Sequence, residues 1–70
     1  MPPNDDPVRI DARGMKCPWP ALRAARAMRS AQAVAIEADD PIADRELAAM
    51  AHEQGWTFEA KGAHLFLLSR

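Results

Sequence analysis

Residues 11–20 read DARGMKCPWP, and a strand ends and a helix begins within this stretch. Gly14 permits a tight turn between the two elements. Pro18 suits the first turn of a helix, because the N–H that proline lacks would have no partner there. The pattern therefore predicts a junction at which Cys17 is the N-cap of a helix that runs from residue 18 to residue 30 or 31.

Cys17 is the only cysteine, and its position predicts a reactive thiol. A sulfur at a helix N-terminus faces unpaired N–H groups and the positive end of the helix dipole, which favour the thiolate. Arg13 and Lys16 add positive charge to the same stretch. The alternative is a buried cysteine that acts as a small hydrophobic residue. A buried cysteine does not require prolines at positions 18 and 20, which fix the backbone after the sulfur, so we favour a nucleophilic thiolate.

This stretch, the alanine-rich segment after it and the later run Ala38-Asp39-Asp40-Pro41 resemble the TusA/SirA-like sulfur-carrier family. The hallmark of that family is a Cys-Pro-x-Pro motif that opens the first helix, and the resemblance extends from about Val8 to Leu68. It implies that Cys17 accepts a sulfane sulfur as a persulfide, while Gly14, Pro18 and Pro20 shape the motif.

The resemblance also implies partners and a setting. The donor would be a cysteine desulfurase or a rhodanese-like protein, and the acceptor a second protein in tRNA thiolation, cofactor biosynthesis or sulfur metabolism of a bacterial cell. No metal or organic cofactor is implied. This chain departs from the family pattern at the loop after the first helix. Many members have a glycine there, whereas residues 30–33 of this chain contain none.

Length and composition set limits on the fold. Seventy residues predict one small domain, which we place at residues 8–70, and the proline-rich MPPNDDP of residues 1–7 predicts a disordered lead-in. A single cysteine excludes a disulfide within the chain. Without a signal-like N-terminus or a long apolar run, the composition favours a cytoplasmic protein that does not enter a membrane.

Charge is distributed unevenly along the chain. Residues 1–35 have a formal charge of +3 and residues 36–70 a charge of −4. Arg23, Arg26 and Arg29 form a basic flank on the first helix, beside an apolar stripe predicted at Ala21, Ala25 and Met28 with Leu22 at its edge. The flank has two interpretations, a solvated helix face or a docking surface for an acidic partner.

Further docking residues are predicted around the cysteine. Trp19 occupies the variable motif position, where it would contact either a partner or the core. The full predicted set of docking residues comprises Arg13, Lys16, Trp19, Arg23 and Arg26.

The second half predicts one strand and one helix more. Residues 33–38 alternate as a strand with Val34, Ile36 and Ala38 on one face, and the helix between the first two strands implies parallel pairing. Asp40 is predicted as the N-cap of a second helix that begins at Pro41 and ends at Gly55. A metal site at Asp39 and Asp40 is the less favoured interpretation, because no further ligand stands at suitable spacing. The apolar stripe of this helix is predicted at Ala43, Leu47, Met50 and Ala51, with Arg45 and His52 exposed.

Residues 56–60 and 63–68 predict a hairpin around Lys61-Gly62. A two-residue turn would place Trp56, Phe58, Leu65 and Leu67 on the core face. Phe66 and Leu68 would then lie on the open face of the sheet with His64, which suggests a homodimer or another partner surface there.

Together these elements predict an α+β two-layer sandwich of order βαβαββ, with a mixed four-stranded sheet and both helices on one face. Cys17 would lie at the carboxyl edge of the first strand. The first functional hypothesis is a sulfurtransferase that works as a persulfide carrier. The alternative is a non-enzymatic module that binds RNA or protein and has a structural cysteine, although the slightly negative net charge and the lack of stacking aromatics argue against direct RNA contact. An oxidant-sensing thiol is a third possibility.

Overall fold

A computed structural model describes residues 7–70 and confirms the predicted order of elements. The predicted lead-in, apart from Pro7, lies outside the described residues. The elements are β1 (Val8–Asp11), α1 (Trp19–Met28), β2 (Ala33–Glu37), α2 (Ala43–Gln54), β3 (Thr57–Ala60) and β4 (Leu65–Ser69).

The four strands form one mixed sheet in the order β1-β2-β4-β3. β1 pairs with β2 in parallel, as the intervening helix requires, and the other two pairings are antiparallel. Ile10 is opposite Ile36, and Ile36 is opposite Phe66, so one face of the sheet is continuously apolar. Both helices pack on this face, which makes the two-layer α+β arrangement that the pattern predicted.

The buried stripe of α1 includes Met28, as predicted, but its other members differ from the predicted ones. Pro20, Ala24 and Met28 are buried, four residues apart, whereas Ala21 and Ala25 are only partly buried. Pro20 determines this phase, because it packs inward in the first helical turn and brings every fourth residue after it to the core. Leu22 consequently points away from the sheet and is 51% exposed.

The buried stripe of α2 matches the prediction. Ala43, Leu47 and Ala51 are buried, and Met50 packs against them. Gly55 ends the helix in the left-handed conformation, with φ of 79°, and its N–H donates to the last turn. The predicted start was wrong, because the helix begins at Ala43 with Ile42 as the cap residue rather than at Pro41 with Asp40. Arg45 and His52 are exposed, as predicted.

The predicted register of the hairpin was wrong. Four residues, Lys61 to His64, separate the strands, and Ala60 is opposite Phe66 instead of Ala63. The pairing is therefore shifted by three residues from the predicted one. Because three is an odd number, the shift exchanges the two faces of β4. Phe66 and Leu68 are buried, and Phe66 stacks on Phe58 with ring centroids 5.9 Å apart. Leu65 and Leu67 lie on the outer face instead, where they are partly buried.

This correction removes the reason for predicting a homodimer through the open sheet face. The aromatic ring expected there, that of Phe66, is 3% exposed and belongs to the core. The register places Arg9, Ala35, Leu67 and Glu59 side by side on the outer face. That row mixes small, apolar and charged side chains and is not the large apolar patch typical of an interface.

Candidate functional site

The loop between β1 and α1 is a tight turn followed by the cysteine. The N–H of Met15 donates to the carbonyl of Ala12 at 3.1 Å, and Ala12 is fully buried. Gly14 lies inside this turn with φ of 83°, a left-handed conformation that costs an L-residue more than it costs glycine. The turn fixes where the chain leaves the sheet and therefore where Cys17 lies.

Cys17 precedes α1 but is not its N-cap, which corrects the prediction. The cap position is Pro18, the first helical residue is Trp19, and the Cys17–Pro18 peptide bond is cis. Pro18 is exposed, whereas Pro20 is buried in the first helical turn, where its missing N–H leaves no hydrogen bond unmade. The two motif prolines thus have separate roles, one at the surface before the helix and one in the core.

Two consecutive carboxylates after β2 hold the cysteine loop. Asp39 Oδ1 accepts a hydrogen bond from the Gly14 N–H at 2.9 Å. Asp40 Oδ2 accepts one from the Cys17 N–H at 2.8 Å, while its Oδ1 accepts one from the Ile42 N–H at 3.0 Å. The carboxylate of Asp40 therefore joins the backbone of the cysteine loop to the residue that begins α2.

Sequence interpretation missed this role of the aspartates. The signal for it was present, since β1 and β2 are parallel and the segments that follow them must leave the sheet at the same edge. Asp39 and Asp40 follow β2 as Gly14 and Cys17 follow β1. This topology, considered with the oxygen acceptors at positions 39 and 40, predicts contacts between the two loops.

Apolar side chains are exposed on the segments next to the cysteine loop. Four large hydrophobic side chains are exposed within residues 7–70, and three of them belong to the segments that meet at Cys17: Trp19 (59%), Leu22 (51%) and Ile42 (43%). The fourth, Val8, lies at the start of β1, at the other end of the strand from the cysteine loop. Trp19, Leu22 and Ile42 make up an apolar rim.

A comparison with protein families matches residues 8–68 to the family model "Sulfurtransferase TusA". The chain belongs to the TusA family. Among solved structures, it is similar to the crystal structure of a SirA-like protein from Desulfitobacterium hafniense, with a TM-score of 0.76 and 26% sequence identity. The similarity covers 89% of this chain and 95% of that chain. No curated protein matches the chain. Membership in the TusA family gives this chain a general role in sulfur transfer.

The charges around the thiol of this TusA-family chain differ from the prediction. The neighbouring Glu46 carboxylate, followed by burial, raises the pKa of Cys17 from the ordinary 9.0 to about 11. The negative charges of Glu46 and Asp40 add to this effect. The predicted depressed pKa was therefore wrong, because sequence interpretation did not anticipate the charge of Glu46, which is half-buried in the first turn of α2.

The two basic residues of the cysteine loop act on carboxylates. Arg13 Nε lies 2.9 Å from Asp11 Oδ1, and this exposed pair lowers the pKa of Asp11 to about 2. Lys16 helps to lower the pKa of Asp40, after the hydrogen bonds from the Ile42 and Cys17 amides. The positive charge predicted to favour the Cys17 thiolate is thus directed toward aspartates.

The remaining predicted docking residues lie on the exposed side of α1. Arg23, Arg26 and Arg29 are exposed, as the basic flank requires. A shallow groove of about 300 Å³ runs along this side, lined by Leu22, Ala25, Arg26 and Arg29. Leu22 therefore belongs to both the apolar rim and the groove, so the two surfaces are continuous.

The second groove of interest lies beside the cysteine loop. It has a volume of about 360 Å³ and is lined by Gly14, Met15, Lys16, Asp39, Asp40 and Pro41. Its acidic residues bind backbone amides, and residues 7–70 contain no group of three His, Cys, Asp or Glu side chains that could hold a metal ion. Within the same residues, no helix has the length and apolar character needed to cross a membrane.

Proposed function

We propose that this chain is a sulfur carrier in which Cys17 accepts sulfane sulfur as a persulfide and passes it to an acceptor protein. The observation that carries the proposal is the position of the chain's only cysteine, partly exposed on a loop that a turn and two carboxylates hold in place. A thiol that only fills space in a core needs neither exposure nor such support.

The chemistry requires one cysteine and no cofactor. The Cys17 thiolate attacks the outer sulfur of a donor persulfide, R–S–SH, and a new S–S bond forms as the S–S bond of the donor breaks. The donor leaves as a thiolate and takes up the proton that Cys17 lost. The products are Cys17–S–SH and R–SH, so no electrons are gained or lost overall. The reverse steps with an acceptor thiol discharge the carrier.

The surroundings of Cys17 supply a docking surface for the donor and the acceptor. The apolar rim can be covered by a partner, and exposed aromatic residues such as Trp19 are frequent centres of binding energy. The basic flank of α1 continues from the rim and would attract an acidic surface. We propose a cysteine desulfurase or a rhodanese-like protein as the donor. The acceptor would serve tRNA thiolation, cofactor biosynthesis or sulfur metabolism.

Intact-mass spectrometry tests the carrier role directly. The protein is incubated with a cysteine desulfurase and cysteine, or with polysulfide, and its mass is compared with that of the Cys17→Ser variant. We expect the wild type to gain about 32 Da per sulfur atom, a thiol reductant to remove the gain, and the variant to gain nothing. Sulfur bound by Cys17→Ser, or a wild type that has a free thiol and stays unloaded with both donors, would contradict the proposal.

The docking surface is tested by Trp19→Ala with Val8→Ala as the matched control. Both remove an exposed apolar side chain, but Val8 lies far from Cys17. We expect Trp19→Ala to slow loading from a protein donor by about tenfold, a typical loss for a central interface residue, and Val8→Ala to leave the rate unchanged. Loading from polysulfide should be equal in all three proteins, because a small donor does not use the rim. Equal loading of Trp19→Ala and wild type by protein donors would exclude the rim as the docking surface.

A further inference from the structure

A groove of about 420 Å³ lies at the other end of α1 from Cys17. Its lining comes from the ends of both helices and from the residues beside β3 and β4, namely Ala25, Met28, Arg29, Gln54, Trp56 and Arg70. Helix α1 has ten residues and is therefore about 15 Å long. The groove is thus a surface separate from the cysteine loop.

Arg70 is fixed at this groove through its backbone and its side chain. Its N–H donates to the Gln32 carbonyl at 3.0 Å, its Nε to the Ala31 carbonyl at 3.2 Å, and its Nη2 to the Met28 carbonyl. The guanidinium carbon also lies over the Trp56 ring, 5.9 Å from the ring centroid. An arginine held in this way loses little conformational entropy when it binds a ligand.

The bonds to the α1 carbonyls use only part of the Arg70 guanidinium. Of its five N–H donors, one on Nε and one on Nη2 are bound. Within residues 7–70, the Met28 and Ala31 carbonyls are the acceptors of this side chain, so the Nη1–Nη2 end of the guanidinium stays free for a ligand. Two parallel N–H donors match the two oxygens of a carboxylate.

The charges at the groove favour an anion. Arg29 is a second exposed cation in the lining, and no side chain in the lining is acidic. The C-terminal ends of α1 and α2 reach the groove, and each is equivalent to about half a negative charge. Arg29 and Arg70 together outweigh these dipoles, so the groove is complementary to carboxylates.

We propose that this groove binds an acidic segment of a partner protein, with one carboxylate on the free end of the Arg70 guanidinium and a second paired with Arg29. The groove shares Ala25 and Arg29 with the shallow groove that reaches Leu22 of the apolar rim. This continuous open surface suits a protein chain, and arginine and tryptophan are frequent centres of binding energy at interfaces. The assignment rests on these contacts and charges and does not require the sulfur-carrier function.

The first experiment is a nuclear magnetic resonance titration with a blocked Glu-Gly-Glu peptide, and the blocked Gln-Gly-Gln peptide is its control. We expect the glutamate peptide to shift the Trp56 indole N–H and Arg70 Nε–H signals saturably. The glutamine peptide should shift neither signal, because only carboxylates pair with the arginines. The Trp19 indole is an internal reference and should not move, since Trp19 begins α1 at its other end.

A second experiment repeats the titration with four variants. Arg70→Gln and Arg29→Gln should each weaken binding of the glutamate peptide about fivefold, the upper range for an exposed ion pair. Arg70→Lys keeps the charge but lacks the fork of donors, so it should weaken binding about threefold. Arg9→Gln is the matched control, because Arg9 is an exposed arginine on the outer face of the sheet, and its affinity should equal that of the wild type.

Inorganic phosphate is the third probe, and it should bind more weakly than the glutamate peptide because it lacks a second anionic group. Phosphate that binds as tightly as the peptide would overturn the proposal in favour of a site for small oxyanions. An unmoved Trp56 signal, equal shifts with the glutamine peptide, or an unchanged affinity in either folded glutamine variant would also overturn it. Arg29→Gln changes an exposed side chain only, so it tests the groove even where Arg70→Gln loosens the end of α1. None of these measurements uses sulfur, so their outcome is independent of the carrier function.

Discussion

The N-termini of α1 and α2 lie against each other and differ in charge. The first turn of α1 has no acidic residue and follows the thiol, whereas that of α2 carries Asp44 and Glu46. Neither helix has a side-chain cap of its own, and Asp40 serves both segments by accepting the Cys17 and Ile42 amides. The two termini thus come together at Asp40, with Cys17 before α1 and acidic side chains in the first turn of α2.

This difference shows which electrostatic effect controls the thiol. A helix N-terminus is equivalent to about half a positive charge, whereas an ionised carboxylate has a full negative charge. Cys17 lies before the cap of α1, and the Glu46 carboxylate is the largest cause of its raised pKa, so negative charge outweighs the helix dipole. The pKa of Cys17 therefore reflects the acidic groups of the neighbouring helix as well as its own helix.

The largest loss of stability is expected from a substitution in the buried stripe of α2. Leu47→Ala removes a fully buried side chain and should lower the free energy of unfolding by about 2–5 kcal/mol. A domain of this size has only a few kcal/mol in total, so urea denaturation should find the variant largely unfolded. Leu22→Ala, on the exposed side of α1, is the control and should change the free energy of unfolding by less than about 0.5 kcal/mol. Equal losses in the two variants would contradict the assigned core.

A smaller loss of stability is expected from Asp40→Asn, because asparagine leaves one acceptor oxygen for the Cys17 and Ile42 amides. The wild-type pKa of Asp40 is lowered, so the stability it contributes is present above pH 4 and is lost as the pH falls through the lowered pKa. Denaturation between pH 5 and pH 2 should therefore show less acid dependence in Asp40→Asn, and hydrogen exchange at the Cys17 amide should be about tenfold faster.

The control for Asp40→Asn is Asp39→Asn, whose single bond to the Gly14 amide survives the substitution. Asp11 titrates in both backgrounds and so does not affect the comparison. Identical acid profiles and identical exchange at Cys17 in the two variants would show that Asp40 does not hold the loop.

The smallest effect is an alkaline dependence of stability that arises from Cys17. Its folded pKa of about 11 exceeds the ordinary 9.0, so the folded state favours the protonated thiol. The stability gained in this way is complete below pH 9 and is lost as the pH rises to 11. Urea midpoints measured from pH 8 to pH 11 should fall more steeply for the wild type than for Cys17→Ser, and parallel curves would show that Glu46 does not act on the thiol.

The fold was predictable wherever a pattern repeats over several turns or residues. Leu47 and Ala51 follow the helical period, and Val34 and Ile36 alternate along a strand, so their burial was predicted correctly. The hairpin failed because Lys61-Gly62 indicates a turn but not its length. The observed pairing of Ala60 with Phe66 shifts the register by three residues and so reverses which side of β4 faces the core, and the uninterrupted apolar run of residues 65–68 suits either face.

The site was predictable in sequence position but not in charge. The motif correctly placed Cys17 in the loop before α1. Its surroundings depend on Asp40 and Glu46, which are 23 and 29 residues further along the chain, and local sequence does not show which distant side chains contact a thiol. Arg13 failed as a source of positive charge for the sulfur for a local reason, since its guanidinium pairs with Asp11, two residues before it.

The two adjacent aspartates should differ in the substitutions they tolerate. Asp39 accepts one amide through one oxygen, so any side chain that has a single acceptor at the same reach, asparagine included, can replace it. Asp40 uses both oxygens for amides of different segments, and no other side chain of its length has two equivalent acceptors. In a library that varies both positions, selection for a folded chain with an intact cysteine loop would therefore leave position 39 diverse and position 40 almost entirely aspartate.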